Sequence, residues 1–157
     1  MARALKSGVA LALRGVLIVA MVVAAGCTRP IESEFASVEQ EGWSRGQSVV
    51  IEFPNSDTLS LCDLRLVARS DSHYNFDSLA LTIVVKSPSG QQALFRTTLC
   101  ADSDVEHTNM REWEQPLISG ARLAEEGNYY FRITHSATRK VEGLWALGIT
   151  RKEITER

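Results

Sequence analysis

The stretch GNYYFRITH (127–135), followed closely by VEGLWALGITRK (141–152), carries the clearest fold signal in this chain. In the first run Tyr129, Phe131 and Ile133 alternate with Tyr130, Arg132 and Thr134; in the second, Val141, Trp145, Leu147 and Ile149 alternate with polar or small residues. A period of two places every second side chain on the same face of a β-strand. We therefore predict two strands that pair as a hairpin across residues 136–140.

Four more runs of β character precede this stretch, each bounded by turn residues. They are 48–53, with Val49, Ile51 and Phe53 on one face; 59–69, whose alternation changes phase at a predicted bulge near Cys62; 78–85; and 91–100. The run 78–85 is apolar on both faces, which is typical of a central strand, and the Pro88–Gly90 turn predicts that it forms a hairpin with 91–100.

Residues 101–120 are polar and lack clear alternation, so we predict a long loop there with a short strand near 116–119. Helical spacing is weak and confined to 117–124. The sequence therefore predicts an all-β domain over residues 43–157, an antiparallel, jelly-roll-like β-sandwich of seven to eight strands.

The N-terminus has the features of a lipoprotein signal peptide over residues 1–26. Basic residues are followed by the uncharged run VLIVAMVVAAGC, which is too short to span a bilayer and ends with small residues before Cys27. We predict Cys27 as the lipidated residue and 27–42, which is polar and acidic, as a flexible tether. Thr28, rather than Asp, follows the cysteine, which favours the outer membrane.

Removal of residues 1–26 takes away three basic and no acidic residues, so the formal charge changes from −2 to −5. An acidic chain of this kind argues against nucleic acid or anionic lipid as a partner. The mature chain has 131 residues, enough for one domain.

Few residues in the domain suggest a ligand or a covalent bridge. Cys62 and Cys100 form a possible disulfide in an oxidising compartment, with two buried thiols as the alternative. Asp102, Asp104 and Glu106 alternate in the predicted loop and form a possible calcium site, although a solvated acidic loop is the commoner outcome. We expect no cofactor other than the covalent lipid on Cys27.

The sequence lacks the motifs of the common catalytic sites. Three histidines occur without zinc-site spacing, and no nucleophile elbow or glycine-rich phosphate loop is present. Glu112 and Glu114 are neighbours on one segment, so they do not predict the opposed carboxylates of a glycosidase. We predict that the protein is not an enzyme. Four aromatic residues in the predicted junction and loops are candidates for a sugar- or peptide-binding face: Trp43, Tyr74, Phe76 and Trp113.

Most of the mature chain resembles the GldH-type gliding-motility lipoproteins of Bacteroidetes. The resemblance is carried by Trp43 with Arg45-Gly46, Asp57-Thr58, DLRLVAR (63–69), HYNFDSLALTI (73–83), the Pro88–Gly90 turn and, most specifically, EEGNYYFRITHSATRKVEGLWALGITRK (125–152). The chain departs from the family pattern between Cys100 and Gly120, where it has MREWEQ.

The resemblance implies a non-catalytic envelope component of the gliding apparatus, whose machinery is related to type IX secretion. The implied partners are other envelope or gliding-machinery proteins, together with the bilayer through the acyl anchor. The alternative is a carbohydrate-binding module on the cell surface. Binding to insoluble polysaccharide would distinguish the module from a protein-docking component.

Overall fold

The computed structural model describes residues 31–101 and 110–154, and these contain eight strands and no helix. The strands are β1 (Glu32–Ser37), β2 (Val49–Asn55), β3 (Cys62–Ser70), β4 (Ser78–Lys86), β5 (Gln92–Cys100), β6 (Arg111–Ala121), β7 (Gly127–His135) and β8 (Leu144–Glu153). Among the described residues, therefore, no helix is long and apolar enough to cross a membrane.

The strands form two antiparallel sheets of four. Sheet I has the order β1-β8-β3-β6, and sheet II has the order β2-β7-β4-β5. Strands that follow each other in the chain alternate between the two sheets, except for β4 and β5, and this is the double-sheet arrangement of a jelly roll. The predicted antiparallel β-sandwich is confirmed.

The core lies between the sheets and is filled by the alternate positions that the sequence marks as apolar. Along β2 the side chains of Val49, Ile51 and Phe53 are buried while their neighbours are exposed. Phe53 of β2 meets Phe131 of β7 edge to face, with ring centroids 6.3 Å apart. Sheet I contributes Leu64, Leu66, Leu147 and Ile149 from the other side.

The predicted hairpin of β4 and β5 is confirmed. The two strands pair along their whole length, from Ser78 with Cys100 to Lys86 with Gln92. The turn between them closes through a hydrogen bond from Gly90 N to Ser87 O at 2.9 Å. β4 lies between β7 and β5, which agrees with its prediction as a central strand.

The predicted hairpin of β7 and β8 is wrong, because the two strands lie in different sheets. β7 pairs with β2 and β4, whereas β8 pairs with β1 and β3. Both strands bury one face in the same core, so their alternation is the same whichever sheet they join. The segment between them crosses from sheet II to sheet I instead of turning back along one sheet.

Trp145 is exposed, although its position in the alternation predicted it to face inward. The register of β3 with β8 shifts between Arg69 and Ser70, opposite this residue, so that Leu144 is buried in its place. The predicted bulge near Cys62 is confirmed by register shifts around Leu64 in the pairing of β3 with β6.

The long loop predicted for 101–120 is wrong over its second half, because Arg111–Ala121 form the 11-residue strand β6, which contains the short strand predicted near 116–119. β6 is an edge strand that pairs only with β3. Its outward positions are polar and it has few fully buried side chains, which hid the alternation in the sequence. Residues 102–109 lie outside the described part.

The tether predicted for 27–42 is wrong where β1 forms. β1 pairs with β8 from Glu32 with Arg151 to Ser37 with Ala146. The ring of Phe35 lies over Gly148, where a Cβ would come within 2.5 Å of it. Glycine at 148 therefore makes room for the aromatic ring that holds β1 against the sheet.

Candidate functional site

The outward positions of sheet II form two rows of mixed apolar and charged side chains. One row runs Val50, Arg132, Val84, Leu94 across β2, β7, β4 and β5; the next runs Glu52, Tyr130, Lys86, Gln92. Because the strands alternate strictly, the residues that fill the core also fix which side chains lie in these rows.

A shallow depression of about 470 Å³ lies on this surface. We name its lining the docking face: Val50, Val84, Lys86, Gln92, Tyr130 and Arg132. Val50 and Tyr130 are exposed, and so is Leu94 beside them. Exposed apolar side chains that lie together beside charged side chains are typical of a surface that binds another molecule.

The docking face has an excess of positive charge in a chain that is acidic overall. Lys86 and Arg132 form no ion pair with any residue in the described ranges. Glu52 lies at the margin, where it accepts hydrogen bonds from Asn128 Nδ2 and from the Tyr130 hydroxyl, the latter at 3.4 Å. The face therefore presents two free cations beside apolar side chains.

The outer face of sheet I is different, because its charges are already paired. Arg69 Nε lies 2.5 Å from Glu112 Oε2, and Glu114 Oε1 lies 3.0 Å from Arg65 Nε and 2.5 Å from Lys152 Nζ. The Arg69 guanidinium also stacks 3.9 Å from the Phe35 ring centroid. The charged side chains described on sheet I are thus paired with one another, whereas Lys86 and Arg132 on sheet II are unpaired.

A buried arginine organises one end of the sandwich, the end at which β1 and β3 begin and β8 ends, which we call the Arg151 end. Arg151 is buried and donates to Asn55 Oδ1 at 2.8 Å. Its guanidinium also lies 3.2 Å from Asp57 Oδ2 and 3.6 Å from Glu32 Oε2. One cation therefore joins β8 to β1, to β2 and to the loop that follows β2.

The Asp57 carboxylate is held in its charged form. Hydrogen bonds from the side chain and backbone of Ser60 and from Leu59 N keep the pKa of Asp57 well below its usual value, and Arg151 adds to this. Asn55 in turn donates to the backbone oxygens of Leu123 and Glu125 at 2.9 and 2.8 Å. No pattern in the sequence indicates this network, because a buried arginine near a polar chain end has no periodic signature.

The opposite end, which we call the His135 end, is packed with aromatic rings. His135 Nε2 lies 3.2 Å from Trp43 O, and the two rings meet edge to face at 4.6 Å. Burial lowers the pKa of His135 below its usual value. This histidine is therefore part of the core and is neutral at pH 7.

A family model described as GldH lipoprotein matches residues 31–150. This range takes in all of β1 to β7 and most of β8. The chain belongs to the GldH lipoprotein family. The resemblance found in the sequence is therefore confirmed.

Other comparisons add nothing on function. No curated protein matches this GldH-family chain. Among solved structures, an arabinose-bound MgGH51 α-L-arabinofuranosidase aligns with 80% of the chain at 11% identity and a TM-score of 0.36. The chain spans only 25% of that enzyme's length.

Family membership makes this chain a gliding-motility-associated lipoprotein, and hence a membrane-anchored envelope protein. The family is not a known enzyme family. Cys27, the predicted lipidated residue, lies outside the described residues, as do the calcium candidates Asp102, Asp104 and Glu106. No group of three or more metal-ligating side chains occurs among residues 31–101 and 110–154.

The structure does not join the two cysteines of the possible disulfide. Cys62 and Cys100 are both free thiols, the first buried and the second exposed. Cys62 begins β3 in sheet I and Cys100 ends β5 in sheet II, so the two cysteines lie in different sheets. Burial raises the pKa of the Cys62 thiol, which is the behaviour of a small core residue.

The predicted aromatic binding face is also wrong. Trp43, Tyr74 and Trp113 are buried, and Phe76 packs beside Tyr74 with ring centroids 6.0 Å apart. The Arg139 guanidinium covers Phe76 at 4.3 Å from the ring centroid. These rings close the core of the GldH-family domain at the His135 end, whereas Tyr130 is an exposed aromatic residue on the docking face.

Proposed function

We propose that this chain is a non-catalytic component of the gliding apparatus, linked to type IX secretion, and that it binds another envelope protein through the docking face. Acyl chains on Cys27 hold it at the outer membrane. Thr28 after the cysteine and the signal-like residues 1–26 support this placement.

The observation that carries the proposal is the contrast between the two outer faces. Sheet I pairs its charges among its own residues, whereas the docking face combines exposed Tyr130 and Val50 with the unpaired cations Lys86 and Arg132. Tyrosine and arginine are the residue types most often found at the centre of protein interfaces. The fitting partner is a protein surface with carboxylates beside an apolar group.

Protein binding is favoured over sugar binding because the docking face lacks an aromatic platform. Sugars stack on broad, flat sets of rings, and Tyr130 is the single aromatic residue lining this depression. The aromatic residues that suggested a carbohydrate-binding module are in the core.

The test is recovery of the partner from native membranes. The full-length tagged lipoprotein would be crosslinked in cells, and the double variant Tyr130→Ser/Arg132→Glu would be compared with wild type. We expect recovery of a gliding or secretion envelope protein to fall at least tenfold, because the change removes the ring and reverses a charge on an exposed surface. Lys140→Glu, an exposed charge reversal away from the docking face, should leave recovery unchanged.

Two results would contradict the proposal. One is equal recovery of the partner by wild type and the double variant. The other is retention of the purified domain on insoluble polysaccharide, lost in Tyr130→Ser, which would support the carbohydrate-binding module instead.

A further inference from the structure

We propose that the Arg151 end of the domain is a membrane-contacting surface, which rests on the bilayer beside the acyl anchor. This inference rests on the proposed acylation of Cys27. It adds an orientation to that placement: which end of the sandwich faces lipid and which faces away.

The first argument is the length of chain between anchor and domain. Three residues, 28–30, separate Cys27 from Ile31, and the four Cα-to-Cα steps between the two span at most about 14 Å in a fully extended chain. β1 begins at Glu32, at the Arg151 end. The first strand of the sandwich therefore starts within about 18 Å of the proposed lipidated residue, and this end cannot move far from the membrane.

The second argument is the distribution of exposed apolar side chains. The described residues include nine large apolar side chains that are exposed, and four of them lie at the Arg151 end: Ile31 (67% exposed), Leu59 (77%), Leu61 (41%) and Ile154 (42%). Ile31 precedes β1, the two leucines lie in the loop between β2 and β3, and Ile154 follows β8. Apolar groups beside a lipid anchor add to membrane affinity when they enter the interface.

The third argument is that the Arg151 network holds these side chains in place. Ile154 N donates to Leu61 O at 3.1 Å, which ties the end of β8 to the leucine loop. Asp57 Oδ1 accepts from the backbone N–H groups of Leu59 and Ser60, both at 3.0 Å. Arg151 contacts both Asp57 and Glu32, the neighbour of Ile31. The leucine loop and the start of β1 are thus fixed to one buried cation.

Charge identifies the kind of lipid surface. The cation of Arg151 is buried and is engaged by carboxylates, and Lys152 is paired with Glu114. Neither cation is therefore free to bind an anionic headgroup, and the exposed Arg122 at this end is accompanied in its loop by Glu125 and Glu126. This fits a bilayer of neutral or zwitterionic headgroups better than an anionic one. The docking face, in contrast, has its cations free and lies on the side of the sandwich.

The orientation has a consequence for docking. β8 has ten residues, so the His135 end stands about 30 Å from the Arg151 end. The docking face lies on sheet II between these two ends, so in this orientation it faces parallel to the membrane, toward proteins held at the same bilayer. This is the geometry that a partner in the same membrane requires.

The test is lipid photocrosslinking of the full-length acylated protein in phosphatidylcholine vesicles that contain a diazirine-bearing phosphatidylcholine. Crosslinks would be mapped by mass spectrometry. We expect the yield at 57–61 and at Ile154 to exceed that at 92–96 at least fivefold, because the latter segment lies on the outer face of sheet II. In Leu59→Ser/Leu61→Ser the yield at Ile154 should fall at least twofold. Leu94→Ser, an equally conservative change at a leucine that is 57% exposed, should not alter it.

Failure of the orientation and failure of the anchor give different results. Crosslinks concentrated on 92–96 and 128–134, in a protein that takes up a labelled fatty acid, would show that the domain lies on sheet II and would overturn the orientation alone. Crosslinks spread evenly over the surface would overturn it as well. A Cys27→Ser protein that still takes up the fatty acid and stays in the membrane fraction would overturn the anchor, and with it this inference.

Discussion

At the scale of single residues, the buried side chains of Arg151 and His135 are accommodated in opposite ways. Carboxylate and amide oxygens surround the Arg151 guanidinium, whereas burial lowers the pKa of His135 despite its hydrogen bonds to the backbone of Trp43 and Ser44. A buried charge is tolerated only when it is paired. Both residues therefore contribute to stability through their surroundings, and each gives a testable prediction.

Replacement of Arg151 should destabilise the domain strongly. In Arg151→Met the Asn55 Oδ1 atom loses its donor and Asp57 loses its cation, so we expect the free energy of unfolding to fall by about 3 kcal/mol. Urea denaturation followed by tryptophan fluorescence measures this. Arg132→Met removes the same charge from an exposed site and should change stability by less than about 0.5 kcal/mol. A loss from Arg151→Met no larger than that of the control would refute the structural role of the network.

His135 should make stability depend on pH near neutrality. Its pKa is lowered in the folded state, so the unfolded chain binds the proton first as pH falls through about 6.5. The free energy of unfolding should therefore decrease between pH 7 and pH 5. His135→Gln should reduce that slope, and His73→Gln, at an exposed histidine, should preserve it. Equal slopes in all three proteins would contradict this assignment.

At the scale of elements, close approach of backbones decides how the strands connect. Gly143 has a φ of +73° and lies where the 136–143 crossover meets the segment after β3. A Cβ there would meet the backbone N of Tyr74 and would lie 2.6 Å from Asp71 Oδ1. The crossover that separates β7 from β8 thus depends on the absence of a side chain at this position.

Gly143→Ala should be much more destabilising than Gly46→Ala. Both glycines have positive φ, but a Cβ at Gly46 meets nothing within 4 Å. We expect Gly46→Ala to lower the free energy of unfolding by about 1 kcal/mol, because of backbone strain. Gly143→Ala should lower it by about 3 kcal/mol or more, because strain and steric overlap act together. Thermal and urea unfolding of the two variants measure the difference. Equal losses would mean that the contact at Gly143 relaxes freely.

At the scale of the whole molecule, β1 makes the N-terminal segment part of the folded domain. It covers the edge of β8, and Phe35 packs on Gly148. Without β1, the hydrogen-bonding groups of β8 and an apolar strip would be exposed, which is the situation that promotes association of sheet edges. Acyl chains on Cys27, as proposed above, would therefore transmit load to sheet I through β1.

Truncation of the chain before and after β1 should show whether this strand stabilises the domain and prevents association. A chain that begins at Ile31 should unfold cooperatively as a monomer, whereas a chain that begins at Val38 should be less stable and should associate. Size-exclusion chromatography with light scattering, combined with urea denaturation, distinguishes the two. If both chains were equally stable and monomeric, residues 31–37 would be a tether after all.

The alternation of apolar residues predicted most strands, the central position of β4 and the all-β class, because burial of one face follows from the spacing of side chains along a single strand. The same pattern missed β1 and most of β6, because these two edge strands bury few side chains and their outward polar residues conceal the period. Of the candidate site, the alternation along 127–135 placed Tyr130 and Arg132 on the same face of one strand. Which strands lie side by side, and hence which side chains form one surface, depends on strand order, and the alternation along a single strand does not reveal that order.

By itself, the sequence determined the secondary-structure type, the family and the sign of the charge, since each depends on residues that are near neighbours or on their sum. Only the tertiary structure decided which strands share a sheet, which charges are paired and that Trp43, Tyr74 and Trp113 belong to the core. These properties depend on contacts between segments far apart in the chain. β7 and β8 show the reason: the same core accepts both strands from opposite sides, so local pattern cannot tell one sheet from the other.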